Sequence, residues 1–311
     1  MVSRYLAKRF FMMILTLWII VTLTFFLMHS IPGDPFASES DRLPEQIRAN
    51  LMAKYHLDQP LPVQYLLYLK NLLMFDLGPS IKSETRTVNS MIADGFSASA
   101  SLGLQSIVVA VSFGILFGII AALNRNRWLD YVAMGLAVLG IAIPSFIMSP
   151  LLIQSFAINL KIFPVATWGT WMHTVLPSLA LAFTPLAIIT RYTRSSMIEV
   201  MNQNYIRTAE AKGLPTYLVV LKHGIRNAIL PVVTFLGPLI ASLITGTFVV
   251  EKIFAIPGIG KYFVDGIFNR DYPVILGTTI FYSVILIVTI FLIDLAYTLI
   301  DPRIRLNSKE E

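Results

Sequence analysis

Six stretches of the chain are apolar almost without interruption, at 10–30, 100–123, 131–157, 174–190, 228–250 and 274–300. A hydrocarbon core of about 30 Å needs roughly 20 such residues in a helix, so each stretch is read as one membrane-spanning helix. The first is preceded by Arg4, Lys8 and Arg9, as a signal peptide would be. Its apolar run exceeds the roughly 7–15 residues of a signal core, and no small-residue cleavage site follows. It is therefore read as a retained helix.

An even number of spans puts both ends of the chain on one side of the membrane, and the basic residues say which. The segments 1–9, 124–130, 191–227 and 301–311 hold 14 Lys and Arg in 64 residues, against 10 in the 108 residues of 31–99, 158–173 and 251–273. Cytoplasmic loops carry the excess, so both termini are expected in the cytoplasm. The expected organisation is an N-terminal span (1–30), an extracytoplasmic cap (31–99) and a five-helix core (100–311) with a cytoplasmic loop at 191–227. The cap carries eight acids against six bases. It contains two helical patterns, 44–55 with Ile47, Leu51 and Tyr55 at i, i+4, i+8, and 63–75. Shielding of helix ends and contact with an outside partner are both open roles for it.

Composition agrees with lipid as the solvent. Hydrophobic residues make up 56% of the 311 and charged residues 14%, where soluble chains carry about 25% charged. The net charge of +6 is absorbed by orientation, which leaves no case for nucleic-acid binding. No cysteine is present, which excludes disulfides, thiolate metal sites and cysteine nucleophiles. His29, His56, His173 and His223 are scattered without metal-ligand spacing, so neither a metal site nor a catalytic residue is expected. The nearest approach to a nucleotide-binding P-loop, at 255–262, has Gly260 and Lys261 but Ala255 and Tyr262 where Gly and Ser/Thr are needed. Asp294 is the one acid clearly inside a span, and it is read as a structural partner of a basic loop residue rather than a proton relay.

The spans are instead rich in proline, with Pro144, Pro150, Pro177, Pro185, Pro231 and Pro238 in three successive helices. Each removes a backbone donor and tends to bend its helix. A mobile inner core is expected, with the first and last spans as scaffold. Ser145, Ser178, Thr184, Thr234, Ser242 and Thr245 are its candidate path-lining groups, with bonding to their own helix the alternative for each. Gly114 and Gly118 form a GxxxG pair that permits close helix packing.

The loop at 191–227 reads as helix, tight turn, helix. Ile198, Met201 and Tyr205 share one face of the first helix, Gly213 can supply a left-handed stop and Pro215 can open the second. A helix that lies on lipid should show large apolar residues lined with Lys and Arg. Here the small Ala209 and Ala211 flank Glu210, which favours close contact with protein.

These pieces resemble the membrane subunits of binding-protein-dependent ATP-binding-cassette importers, above all the B-type permease of bacterial oligopeptide and dipeptide systems. The likeness is carried in family order by IPGDP (31–35), LDQPLPVQYLLYL (57–69), YIRTAEAKGL (205–214), HGIRNAILPVVT (223–234), FAIPGIGKYFVDGI (254–267), RDYPVILG (270–277) and DPRIR (301–305). It implies the type I importer permease fold, with a coupling helix that docks on an ATPase subunit and consists of Tyr205, Ile206, Arg207, Thr208, Ala209, Glu210, Ala211, Lys212 and Gly213. The importers' general motif has Glu-Ala-Ala six to four residues before the glycine; Arg207, Thr208 and Ala209 stand there instead. The implied partners are a second homologous permease, two ATPase subunits that hold ATP and magnesium, an extracytoplasmic peptide-binding protein and the bilayer of the bacterial cytoplasmic membrane. This chain itself would hold no cofactor and catalyse no reaction. Within the family, dipeptides, nickel chelates and other small solutes are alternative cargoes. Outside it, the rivals are an ATPase-independent channel or carrier and a membrane sensor whose 191–227 loop binds a signalling protein.

Overall fold

The computed structural model describes residues 2–30, 45–83, 85–244 and 248–300. Its elements are helices: α1 (Val2–Ser30), α2 (Glu45–Lys54), α3 (Leu61–Leu73), α4 (Val88–Leu123), α5 (Trp128–Ala142), α6 (Ser145–Asn159), α7 (Trp171–Met201), α8 (Asn204–Ala211), α9 (Thr216–Ala228), α10 (Leu230–Ile244), α11 (Phe248–Ile253), α12 (Ile259–Asn269) and α13 (Tyr272–Ile300). Among the described residues, strand-like pairing is limited to one antiparallel bridge between Pro79 and Thr87. The segments IPGDP and DPRIR, Thr245 and the Asp294 side chain lie outside what is described.

Among the described residues, four helical stretches are long and apolar enough to cross a bilayer: Ala7–Ser30, Val88–Leu123, Trp171–Met201 and Tyr272–Leu292. Two bent pairs pass the same test together, α5 with α6 at 108° and α9 with α10 at 49°. The described residues thus hold four to six candidate spans. The third stretch, expected to be continuous over 131–157, breaks at Ile143 and Pro144, whose extended ψ angles are 112° and 148°. The residue before a proline is pushed out of the helical region, and the chain turns there. The fifth, expected at 228–250, starts earlier, at Thr216. It bends before Pro231, which cannot donate to its own turn, and Val250 falls on the separate α11. By contrast Pro177 and Pro185 sit buried inside an unbroken α7.

The chain forms two compact units, one of residues 1–97, 258–291 and 295–311, the other of 98–257 and 292–294. In the first unit α3 packs by aromatic contacts against α1. Phe25 lies 5.3 Å from Tyr65 and 5.8 Å from Tyr68 between ring centres, and the Thr22 hydroxyl meets Tyr65 Oη at 2.6 Å. The expected helix at 44–55 is α2; Leu51 and Tyr55 are half-buried beside Ile81 and Tyr272, while Ile47 is exposed. The buried Asp271 carboxylate accepts from Ser80 Oγ, from the Ile81 and Lys82 amides at 3.1 and 3.2 Å, and from the Val274 amide at 3.4 Å. One side chain thereby caps α13 and fastens the 80–82 turn.

The second unit is built around α7, of which thirteen residues are buried. Two glycines of α4 and one of α5 let their backbones approach it. A Cβ at Gly114 would stand 2.8 Å from the Ile189 side chain, one at Gly118 2.5 Å from that of Thr193, and one at Gly140 2.7 Å from that of Ala187. Leu102, Leu176, Ala180, Ile189, Val232 and Phe254 fill the core around these crossings. Buried Glu251 of α11 accepts a hydrogen bond from Ser99 at 2.7 Å.

Gly118→Leu is expected to destabilise the purified protein by about 1–3 kcal/mol, the usual cost of overpacking, and to lower its melting temperature. Gly135→Leu, where an added carbon meets nothing within 4 Å, leaves the melting temperature unchanged or raises it. Equal losses in both variants would contradict the glycine crossings.

Candidate functional site

The loop expected at 191–227 is mostly helix, and its first eleven residues simply continue α7. The helix stops at Asn202, whose φ and ψ are −89° and 0°, and Gln203 is extended at −76° and 151°. That two-residue break changes the phase of the pattern. Ile198, Met201 and Tyr205 were expected on one face, yet Tyr205 is exposed and Ile206 takes its place inside.

The short helix α8 carries seven of the nine residues expected to couple, with Lys212 as its C-cap. Its Ile206 and Ala209 are buried, 1% and 7% exposed, against Val219 of α9 and Met201 of α7. The remaining positions, Tyr205, Arg207, Thr208, Glu210, Ala211, Lys212 and Gly213, are exposed. Ala209 is therefore part of the elbow's own packing and is withdrawn from the surface that the sequence pattern gave it. Gly213 has φ +76°, with open space where a Cβ would be. Glycine is needed there for its left-handed backbone, not for room. Leu214 N–H reaches back to Ala209 O at 3.3 Å, and Pro215 starts α9.

Two further contacts close the elbow, one between its two helices and one on the end of α7. The Asn227 amide of α9 donates to Tyr205 Oη at 3.1 Å. Met197, fully buried, packs on Val220 and Ala228, with its Cε 3.3 Å from where a Cβ of Gly224 would stand. α8 is thus a polar-faced helix held rigidly by its own apolar side. An adjoining feature escaped the sequence reading: Arg194 of α7 makes a two-pronged contact with Asp130 of α5, Nε to Oδ1 at 2.5 Å and Nη2 to Oδ2 at 2.7 Å. The Asn126 amide donates to the same carboxylate at 3.0 Å. The available signal was an acid in the first turn of one span and a base near the end of another.

The candidate path residues do not gather in one place. Ser178 donates to Gln105 Oε1 of α4 at 3.3 Å and Thr184 to the Gly140 carbonyl of α5 at 3.0 Å, so both hydroxyls join helices. Ser145 opens α6, half-buried, its carbonyl taken by Ser149 Oγ at 2.8 Å. Thr234 and Ser242 donate to carbonyls of their own helix, Leu230 O and Leu239 O. With Pro231 and Pro238 they form an exposed stripe along α10.

Ala209→Asp places a charge in apolar packing, where the cost is several kcal/mol. It is expected to loosen α8, so that trypsin cuts at Arg207 and Lys212 much faster than in the parent. Ala211→Asp, on the exposed side, leaves the cleavage rate unchanged. Equal rates in the two variants would contradict the anchoring of α8.

Comparison with known proteins adds a lineage to this geometry. The family model described as "Binding-protein-dependent transport system inner membrane component" matches residues 114–306, and the one for the N-terminal part of such membrane components matches 1–103. The chain is 59% identical to the dipeptide transport system permease protein DppB of Bacillus subtilis over 307 residues, 99% of each chain. It is 44% identical to the oligopeptide transport system permease protein OppB of Haemophilus influenzae over 304 residues, and 43% to DppB of Lactococcus lactis over 303, in both cases 97% of this chain and 99% of the relative. A multi-pass protein of the cytoplasmic membrane, the chain belongs to the family of inner-membrane components of binding-protein-dependent transport systems.

Proposed function

We propose that this chain is one half of the translocation path of an ATP-driven peptide importer, and that α8 is the coupling helix that docks on an ATPase subunit. The carrying observation is the elbow: Ile206 and Ala209 anchor α8 to its own chain, while Arg207, Thr208, Glu210 and Lys212 present a polar outer surface around the small Ala211. A helix meant for lipid would turn its apolar side outward.

Each bent pair counts as one span in this reading, which makes six, with both termini and the elbow in the cytoplasm, as the Lys and Arg distribution favours. Residues 31–99 then cap the outer side, where a peptide-binding protein delivers cargo. Peptides carry charged ends and amides whose transfer into hydrocarbon is costly, so they need a wet path. A second, homologous permease related by a pseudo-twofold axis would complete it. The exposed α10 stripe of Pro231, Thr234, Pro238 and Ser242 is the surface best placed to face that path, and it narrows the earlier set of six. The two ATPases hold ATP and magnesium, and the chain transports without catalysing. Relatives named for dipeptides stand at both 59% and 43% identity, with an oligopeptide permease at 44%. Overall likeness therefore supports peptides as the class and leaves their length to the delivering protein.

The test is reconstitution. Liposomes holding this chain, its partner permease, both ATPases and internal ATP, with the binding protein and a labelled peptide outside, are expected to accumulate the peptide only when ATP is hydrolysable. Accumulation against a gradient by the chain without ATPases would overturn the reading in favour of an ion-coupled carrier.

A further inference from the structure

Arg194 stands seven residues before the end of α7, about 10 Å along the axis at 1.5 Å per residue, and therefore close to the elbow. Within one turn of that helix, three side chains reach three different neighbours. Thr193 packs on Gly118 of α4, Arg194 grips Asp130 of α5, and Met197 packs on α9.

The grip is distinctive for its place: the Gly140 crossing on Ala187 and the Thr184 bond to the Gly140 carbonyl tie the far end of α5 to α7, whereas Arg194 ties its start. The buried residues of α5 are Asp130, Ala137 and Gly140. Gly140 touches α7 much farther along, at Ala187. Over the first two turns of α5 only Asp130 is buried, while Trp128 and Tyr131 are 70% and 69% exposed. The Asp130 side chain is 3% exposed and that of Arg194 26%. A buried ion pair adds little stability over a well-packed apolar pair, because both charges must be desolvated. What the fork-shaped contact does supply is direction: a guanidinium and a carboxylate in two-pronged contact fix each other's orientation, so the start of α5 is held in one register on α7.

We propose that Asp130 and Arg194 are positioning residues for transport, a latch that makes α5 follow α7 when the elbow is displaced. The proposal rests on the reading of α8 as the coupling helix. A push received at α8 passes directly through Met201, and by way of α9 through Met197, to α7, then through the latch to the start of α5 and through the Gly118 crossing to α4. Without the latch, the start of α5 lags behind α7 while its far end stays fixed at the Gly140 crossing, and part of each stroke is lost.

The experiment uses the full reconstituted transporter with a Thr208→Cys marker for cross-linking to the ATPase. Two latch variants are compared with the parent: Arg194→Lys, which keeps the charge and loses the fork, and the double variant Asp130→Leu/Arg194→Met, which removes both charges together. Melting temperature, Thr208→Cys cross-linking and ATP hydrolysis are expected to stay near parental values in Arg194→Lys. Peptide taken up per ATP hydrolysed is expected to fall roughly fivefold, within the range over which residues along a coupling route act. The double variant should show the same fall if it assembles, and Arg194→Lys carries the test if it does not. A merely structural pair would change assembly and leave the ratio intact, so a parental ratio in Arg194→Lys overturns the latch. Absence of the cross-link in the parent removes the coupling-helix reading, and the latch with it, whereas a cross-link with a parental ratio removes the latch alone.

Discussion

The second unit depends on how closely the backbones of α4 and α5 can approach α7. Lipid exerts no hydrophobic force between helices, so they associate through packing and hydrogen bonds at short range. Gly114, Gly118 and Gly140 supply that range, and at each a single carbon would collide with Ile189, Thr193 or Ala187. The Thr184 hydroxyl adds a bond to the Gly140 carbonyl at the same crossing. Contacts this short leave little freedom to slide, and they turn three helices into one body that carries the elbow.

The elbow itself inverts the usual use of an amphipathic helix. Its apolar side, Ile206 and Ala209, is closed against Val219 and Met201, and the polar side faces outward. Such a helix cannot change its tilt without breaking its own packing, and whatever touches its outer surface must move α7 as well. Gly213 in its left-handed turn and the Asn227 to Tyr205 bond close the other side of the loop.

Much of this was legible in the chain. Lipid demands long apolar runs, and those runs locate α1, α4, α7 and α13 because nothing else satisfies the backbone of a buried segment. The GxxxG pair and the turn at Gly213 and Pro215 were also readable, since both rest on local backbone sterics. Four things were not. The break at Ile143 and Pro144 and the unbroken passage of α7 through Pro177 and Pro185 involve the same residue type, and only tertiary packing separates them. The burial of Ala209 follows from a two-residue interruption at Asn202 and Gln203 that no periodicity reveals. Asp130 and Arg194 are 64 residues apart, and each alone looks like an ordinary charge at the end of a span. The candidate path hydroxyls were the least readable, because a serine that joins two helices and one that faces a cavity have the same local sequence.

The central claim is that elbow and helices move as one body. It is tested most directly by spin labels at Thr208 of α8 and Arg127 at the start of α5, both exposed, in the assembled transporter with and without ATP. Pulsed electron–electron distance measurements should return one distance distribution in both states, while a second pair reporting across to the proposed partner permease shifts. A Thr208 to Arg127 distance that changes between the two states would contradict the account.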